Sequence, residues 1–202
     1  MNQEIIRQAI EPICEFHFHS SSYGFRPKRC AQDAMSDLFN KLSRKTSKQW
    51  IVDADISSCF DHINHEHIMQ ILHKWHIKEG IIGTIHKMLR AKIFYDGNII
   101  DNENGTPQGG VISPLLANVA LTCLDEYCQK QFGWNSKRGN KRYKVSPIVR
   151  YADDFVVLTK TKEEAENVKE TLKQYLKDRI GLQLSDEKTR MIPMKLSINL
   201  RK

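Results

Sequence analysis

Apolar residues in this chain follow two periods, and the switches between them outline the fold. Ile5, Ile6, Ala9, Ile10 and Ile13 recur at helical spacing, and so do Ala31, Ala34, Met35, Leu38, Phe39 and Leu42 beyond a Tyr23-Gly24-Phe25-Arg26-Pro27 loop. Trp50-Ile51-Val52-Asp53-Ala54-Asp55-Ile56 predicts a buried strand. Helical faces follow at Ile68, Ile71, Leu72 and Trp75, then at Ile81, Ile82, Ile85, Met88 and Leu89. Asp96-Gly97 between Ile93-Phe94-Tyr95 and Ile99-Ile100 predicts a small hairpin, because both turn positions need positive φ. Ser113-Pro114 predicts a helix start, with Ser113 as N-cap and a proline whose missing N–H costs nothing in the first turn. Leu115, Leu116, Val119, Ala120 and Leu124 form that helix's inner face. Two apolar strands then flank an acidic pair. Thr161 and Glu164 have the spacing of a capping box ahead of a helix with Ala165, Val168, Leu172, Tyr175 and Leu176 inward, and a last strand is expected near Met191. With the small hairpin set aside, the order is that of a ferredoxin-like βαββαβ core in an α+β chain. The basic, polar stretch before Trp50 sets a boundary between about Ser47 and Trp50, dividing the chain into 1–48, 49–194 and a tail, 195–202. Internal repeats and low-complexity segments are lacking.

Composition narrows the class. The 202 residues are 40% hydrophobic, enough for a sizeable core, and the sequence shows neither a signal peptide nor an apolar run of the ~20 residues that cross a bilayer, so a cytoplasmic location is expected. Cys14, Cys30, Cys59, Cys123 and Cys128 are odd in number and scattered, which argues for reduced thiols over disulfides or zinc. Net charge is +7, unevenly spread. Between Glu126 and Asp153 there is no acid, while Lys130, Lys137, Arg138, Lys141, Arg142, Lys144 and Arg150 intervene. Such a run favours a polyanion partner; a solvated basic loop is the plainer alternative.

The acidic pair is the main chemical signal. Ile148-Val149-Arg150-Tyr151 and Phe155-Val156-Val157-Leu158 flank Asp153-Asp154 and predict a tight hairpin carrying two like charges, costly unless cations lie between them. An exposed acidic turn is the alternative. In a ferredoxin-like sheet the strand ending at Asp55 runs beside this hairpin, so three carboxylates converge. Such oxygen ligands suit Mg²⁺, and two ions about 4 Å apart support phosphoryl transfer. His62, His65 and His67 fit no common zinc spacing and are read as structural.

Several ordered blocks resemble those of the group II intron reverse transcriptases, also called maturases. They are Ser22-Tyr23-Gly24-Phe25-Arg26-Pro27, Asp55-Ile56-Ser57-Ser58-Cys59-Phe60-Asp61, Gly105-Thr106-Pro107-Gln108-Gly109-Gly110 continuing to Asn118, Tyr151-Ala152-Asp153-Asp154, and Leu184-Ser185-Asp186-Glu187-Lys188-Thr189. The resemblance spans nearly the whole chain. It implies a reverse-transcriptase palm with partial helical fingers in 1–48, and an RNA-directed DNA polymerase using two Mg²⁺ ions, with Mn²⁺ an alternative. Implied partners are RNA template and primer, deoxynucleoside triphosphates and group II intron RNA, with a second copy of the chain as a further candidate.

By the same resemblance, Asp55 and Asp153 are the chief metal ligands, Asp154 completes the catalytic triad, and the Ile56 carbonyl adds a ligand. Asp53 shares a strand face with Asp55, and only the likeness sets it aside. Phe60 matches an aromatic that excludes a 2′-hydroxyl, or is simply a core residue. Gln108 and Gly109 belong to a loop over the nucleotide, Arg26 lies near template or nucleotide, and Lys188 lies near the pyrophosphate unless it is a surface lysine. Lys137, Arg138, Lys141 and Arg142 are candidate nucleic-acid contacts.

The family pattern also carries an upstream fingers segment and, downstream, a Phe-Leu-Gly turn and helical thumb. The sequence starts after the first and ends before the second, so a truncated palm with weak, salt-dependent grip on a duplex is expected. A non-catalytic, intron-RNA-binding module is the alternative function. A cyclase-like palm would need no polyanion partner.

Overall fold

The computed structural model describes residues 2–43, 49–91, 93–95, 98–100, 104–106, 109–138 and 141–194. Two helices, α1 (Asn2–His17) and α2 (Ala31–Ser43), precede β1 (Trp50–Ala54). The short α3 (Cys59–His62) and the longer α4 (His65–Lys74) and α5 (Glu79–Leu89) lead to a hairpin, β2 (Ile93–Tyr95) and β3 (Asn98–Ile100), whose Asp96-Gly97 turn lies outside the described residues. Next come α6 (Ser113–Phe132), a second hairpin, β4 (Trp134–Arg138) and β5 (Lys141–Val145), then β6 (Ile148–Tyr151), β7 (Asp154–Thr159), α7 (Lys162–Ile180) and β8 (Arg190–Pro193).

The main sheet has the order β6-β7-β1-β8, with every pair antiparallel. Taken as βαββαβ, the first and third core strands are central, which is the ferredoxin-like arrangement. Strand alternation divides its faces. Val52, Ala54, Phe155 and Val157 point into the main core with Leu116, Leu124, Leu172 and Leu176 of α6 and α7. Ile51, Asp53, Val156 and Leu158 take the other face.

Helix ends follow local chemistry. The Thr161 hydroxyl accepts from the Glu164 N–H at 3.1 Å, and the Glu164 carboxylate accepts from the Lys160 N–H at 2.8 Å, while Gly181 closes α7 at φ 78°. Ser113 departs from expectation: it is the first residue of α6, and Ile112 holds the cap position without a side-chain bond. Pro114 stands in the first turn.

The N-terminal helices differ from their sequence reading. Ile10, Cys14 and Phe18 join the main core, so segment 1–48 has no separate core of its own. Ile5 and Ile13 of α1 are exposed; on α2, Met35 and Phe39 are exposed because that helix meets β6 and β7 through a small cluster of Ala34, Leu38, Tyr23, Val149 and Val156. The basic run, for which a solvated loop was the plainer alternative, forms the β4–β5 hairpin, with Lys137 opposite Arg142 and Arg138 opposite Lys141. Gly139-Asn140, between its strands in sequence, is a turn signal that would have revealed it. Cys14, Cys59 and Cys128 are buried, Cys123 is half-buried and Cys30 exposed, all as free thiols. Among the described residues no helix is long and apolar enough to cross a membrane.

One buried ion pair ties these parts together. Arg150 on β6 and Asp125 on α6 have fully buried side chains, and the guanidinium grips the carboxylate through Nε at 3.0 Å and Nη2 at 2.7 Å. Its Nη1 donates to Asn118 Oδ1 and to the Ala152 carbonyl, both at 2.8 Å, and Asn118 donates to the Gly24 carbonyl at 2.8 Å. On the backbone, Arg150 accepts from the Tyr23 N–H and donates to the Ser21 carbonyl, each at 2.9 Å. Arg150→Met or Asp125→Leu strands one charge in the core, and urea denaturation should show a loss of about 3–5 kcal/mol. The double substitution should recover most of that loss.

Candidate active site

The β1–β7 ladder sets the first two acids. Ala54 pairs with Phe155, and one further step of the same register puts Asp55 opposite Asp154, on the sheet face away from α6 and α7. Partial burial, the close approach of the Asp55 carboxyl and the charges of Asp153 and Asp55 hold the Asp154 carboxyl above the ordinary aspartate range, against a lowering pull from Lys188. Asp153 stands in the two-residue β6–β7 turn, close enough to add its charge to this pair. Asp53 lies one period earlier, opposite Val156 and Arg190, where no acid faces it across the ladder.

The turn is held in an unusual conformation. Ala152 adopts φ 60°, a left-handed geometry uncommon for a residue with a Cβ. Its carbonyl is fixed by Arg150, and Gly24 packs so closely that an added Cβ would lie 2.4 Å from the Ala152 nitrogen. The glycine of the Gly-Phe-Arg-Pro loop is thus a steric requirement of the acidic hairpin.

Beyond β1 the chain turns under the site. Ile56, buried, bridges to Leu184, while the Ser185 N–H donates to the Asp55 carbonyl at 2.8 Å and the Ser57 N–H to Gln183 at 2.9 Å. This stitching brings Lys188 over Asp55, with Nζ 2.8 Å from Oδ2. The contact raises the lysine's pKa. Ser58, at φ 44°, opens α3 and sets Phe60, half-buried, edge-on to Phe25 with ring centroids 6.2 Å apart. Gly105, at φ 82°, crosses beneath so tightly that a Cβ would meet the Phe60 and Asp61 carbonyls at 2.6 Å. Thr106 N–H donates to the Phe60 carbonyl at 2.6 Å.

Other candidates are placed differently. Arg26 is buried, paired with Glu15 at 2.8 Å, and donates to the His19 and Ser22 carbonyls at 2.7 and 2.8 Å while stacking over Phe18. Its guanidinium thus pins the loop to α1. Gly109 is exposed at φ 83°. Gln108 lies outside the described residues. Lys137, Arg138, Lys141 and Arg142 are on the β4–β5 ladder, in two cross-strand pairs. The histidines each serve a different backbone carbonyl: His62 that of Ser58, His65 that of Gly105, and His67 that of Ala120.

The donor set was tested against Mg²⁺. Asp55 and Asp154 form an adjacent pair of hard oxygen ligands, the second with a raised pKa and the first drawing an ammonium, as a site short of positive charge would. That chemistry fits a divalent ion. Among the described residues no group of three His, Cys, Asp or Glu side chains is gathered closely enough to hold a metal.

Comparison with known proteins decides the family. The pattern of the reverse transcriptase (RNA-dependent DNA polymerase) family matches residues 1–198. The chain belongs to that family. Protein YkfC of Escherichia coli (strain K12) is 32% identical over 212 residues, covering 94% of this chain and 56% of that protein. The group II intron-encoded protein LtrA of Lactococcus lactis subsp. cremoris is 29% identical over 238 residues, covering 93% of this chain and 39% of LtrA. This reverse transcriptase chain therefore spans about half the length, or less, of these relatives. Apo telomerase from Candida tropicalis, truncated from its C-terminal domain, shares the fold with a TM-score of 0.68 at 16% identity, covering 95% of this chain and 40% of that one. The four-stranded antiparallel sheet with its helices is thus the palm fold of reverse transcriptases.

Two outcomes follow from this geometry. Gly24→Ala should displace the acidic hairpin and destabilise the protein by about 1–3 kcal/mol in urea denaturation, as small-to-large changes in packed sites do. The second concerns pH: His67 is held below its ordinary pKa of 6.5, chiefly by burial. As pH falls through 6.5 the unfolded chain takes the proton first, so stability should drop, with a slope of up to about 1.4 kcal/mol per pH unit from this group. Denaturation curves of His67→Gln between pH 7.5 and 5 should be flatter than those of the parent.

Proposed function

We propose that this chain is the polymerase core of a group II intron-type reverse transcriptase, adding deoxynucleotides to a primer on an RNA template. The observation that carries the reading is Asp55 set opposite Asp154, on strands far apart in sequence, with Asp153 beside them and Lys188 bound to Asp55. Asp55, Asp153 and Asp154, with the Ile56 carbonyl, would hold two Mg²⁺ ions. When bound, these would lower the pKa of the primer 3′-hydroxyl and neutralise charge at the α-phosphate and pyrophosphate.

The chain's own groups supply the rest. Lys188 can leave Asp55 to carry its proton and charge to the departing pyrophosphate. Phe60, braced by Phe25 and by the tight passage of Gly105, gives a rigid edge against which a ribose 2′-hydroxyl would clash. Gln108 and Gly109 are assigned to the nucleotide by likeness to the family loop. The pairing of four basic residues along β4–β5 favours a second role for this chain, holding intron RNA.

Primer extension on an RNA template tests the assignment. Asp55→Asn and Asp153→Ala should abolish incorporation while leaving the unfolding midpoint within a few degrees of the parent. Lys188→Ala should slow incorporation by about 10²-fold. Phe60→Ala should raise ribonucleotide incorporation by about tenfold or more relative to deoxynucleotide. Incorporation that survives Asp153→Ala would overturn the reading, and intron RNA binding without any incorporation would leave the binding role alone.

A further inference from the structure

The helical side of the domain, across the sheet from the acids, carries a second constellation. A recess of about 330 Å³ opens where α4, α6 and α7 meet, and each helix sends one exposed cation to its wall: Lys74, Lys130 and Arg179. No ion pair among the described residues engages any of the three. The only carboxylate in the lining is Glu126, so the wall has a net excess of two positive charges. His67 adds none near neutral pH, since burial holds its pKa down.

Between these cations stands an aromatic wall. The rings of Tyr127 and Tyr175 stack at 3.9 Å with planes 15° apart, and Phe132 abuts Tyr127 edge-on at 6.2 Å. Tyr175 is fixed by donating its hydroxyl to the Cys123 carbonyl at 3.2 Å. The same two tyrosines and Arg179 line an adjoining recess of about 690 Å³, which also holds Glu170, Gln174 and Asp178. Lys144 of the β4–β5 hairpin donates to the Lys130 carbonyl at 2.6 Å, so the basic hairpin begins beside the recess.

We propose that this recess binds a single-stranded segment of RNA, with its phosphates on Lys74, Lys130 and Arg179 and a base against the Tyr127–Tyr175 pair. Exposed cations from three helices on one wall, without carboxylate partners among the described residues, attract a polyanion. Stacked tyrosines give a sequence-tolerant surface for a base. Glu170 and Asp178 of the adjoining recess repel phosphate, which confines the phosphates to the first recess, and as acceptors they can meet ribose 2′-hydroxyls, which favours RNA over DNA. The site does not rest on the polymerase reading, because the sheet and its helix layer separate it from Asp55 and Asp154.

The experiment measures binding of a fluorescein-labelled 20-nucleotide oligouridylate to the full chain across a salt series. Replacing Lys74, Lys130 and Arg179 together by Gln should reduce the slope of log affinity against log salt by about 2, at roughly 0.7 per single-strand phosphate. Tyr127→Ala should weaken binding about tenfold, with circular dichroism confirming the fold. The matched deoxyuridylate should bind several-fold more weakly. An equal loss of slope when Lys78, Lys87 and Arg90 are replaced instead, or equal affinity for the two oligonucleotides, would overturn the proposal.

Discussion

The buried pair of Arg150 and Asp125 is the constraint from which the working parts of this domain take their positions. An isolated guanidinium in the core would be prohibitive, so Arg150 must be met by acceptors on every side, and these come from both α6 and the β6–β7 turn. Asp125 and Asn118 bring α6, Ala152 brings the acidic turn, and Asn118 extends the grip to Gly24 in the loop after α1. The cost of desolvation is thereby converted into specificity, since no partial arrangement satisfies the group.

Above this anchor the backbone is forced into close passages. Gly24 against Ala152 and Gly105 against Phe60 leave no room for a side chain, and Ala152 holds positive φ although it is not glycine. Strain of this kind persists only when surrounding contacts over-determine it, and here they do. The acids sit on a turn that cannot relax independently of α6 or of the N-terminal loop. The pair they form is short of positive charge, and Lys188 answers that need from the last connection of the sheet.

Much of the fold was legible because it follows from periodicity. The order of strands and helices, the capping box at Thr161 and the approach of Asp55 to the acidic hairpin all come from local signals read along the chain. What was not legible depends on distant partners. The family pattern placed Arg26 near a nucleotide, but nothing in the sequence shows that Glu15 lies one helix away and captures it. Met35 and Phe39 keep helical spacing, yet α2 touches too little of the sheet to cover them. Arg150 was noted only as one positive charge in a basic run, although it is the most deeply committed cation in the domain. The β4–β5 hairpin is hidden for a different reason: the Gly139-Asn140 turn signal is present, but the flanking segments carry few apolar residues to mark them as strands.

The register of β1 against β7 has a consequence for how such a domain can vary. Asp55 faces Asp154 because two strands are laced together, not because the intervening chain measures a particular distance. Everything between residues 56 and 148 that is not packed into the core is free, in principle, to lengthen, shorten or be exchanged without moving the two carboxyls. The β2–β3 and β4–β5 hairpins hang from the domain at such points, each paired only with itself. The ladder is thus a fixed gauge around which peripheral surfaces can diversify, and chemistry and partner choice can evolve at different rates in the same chain.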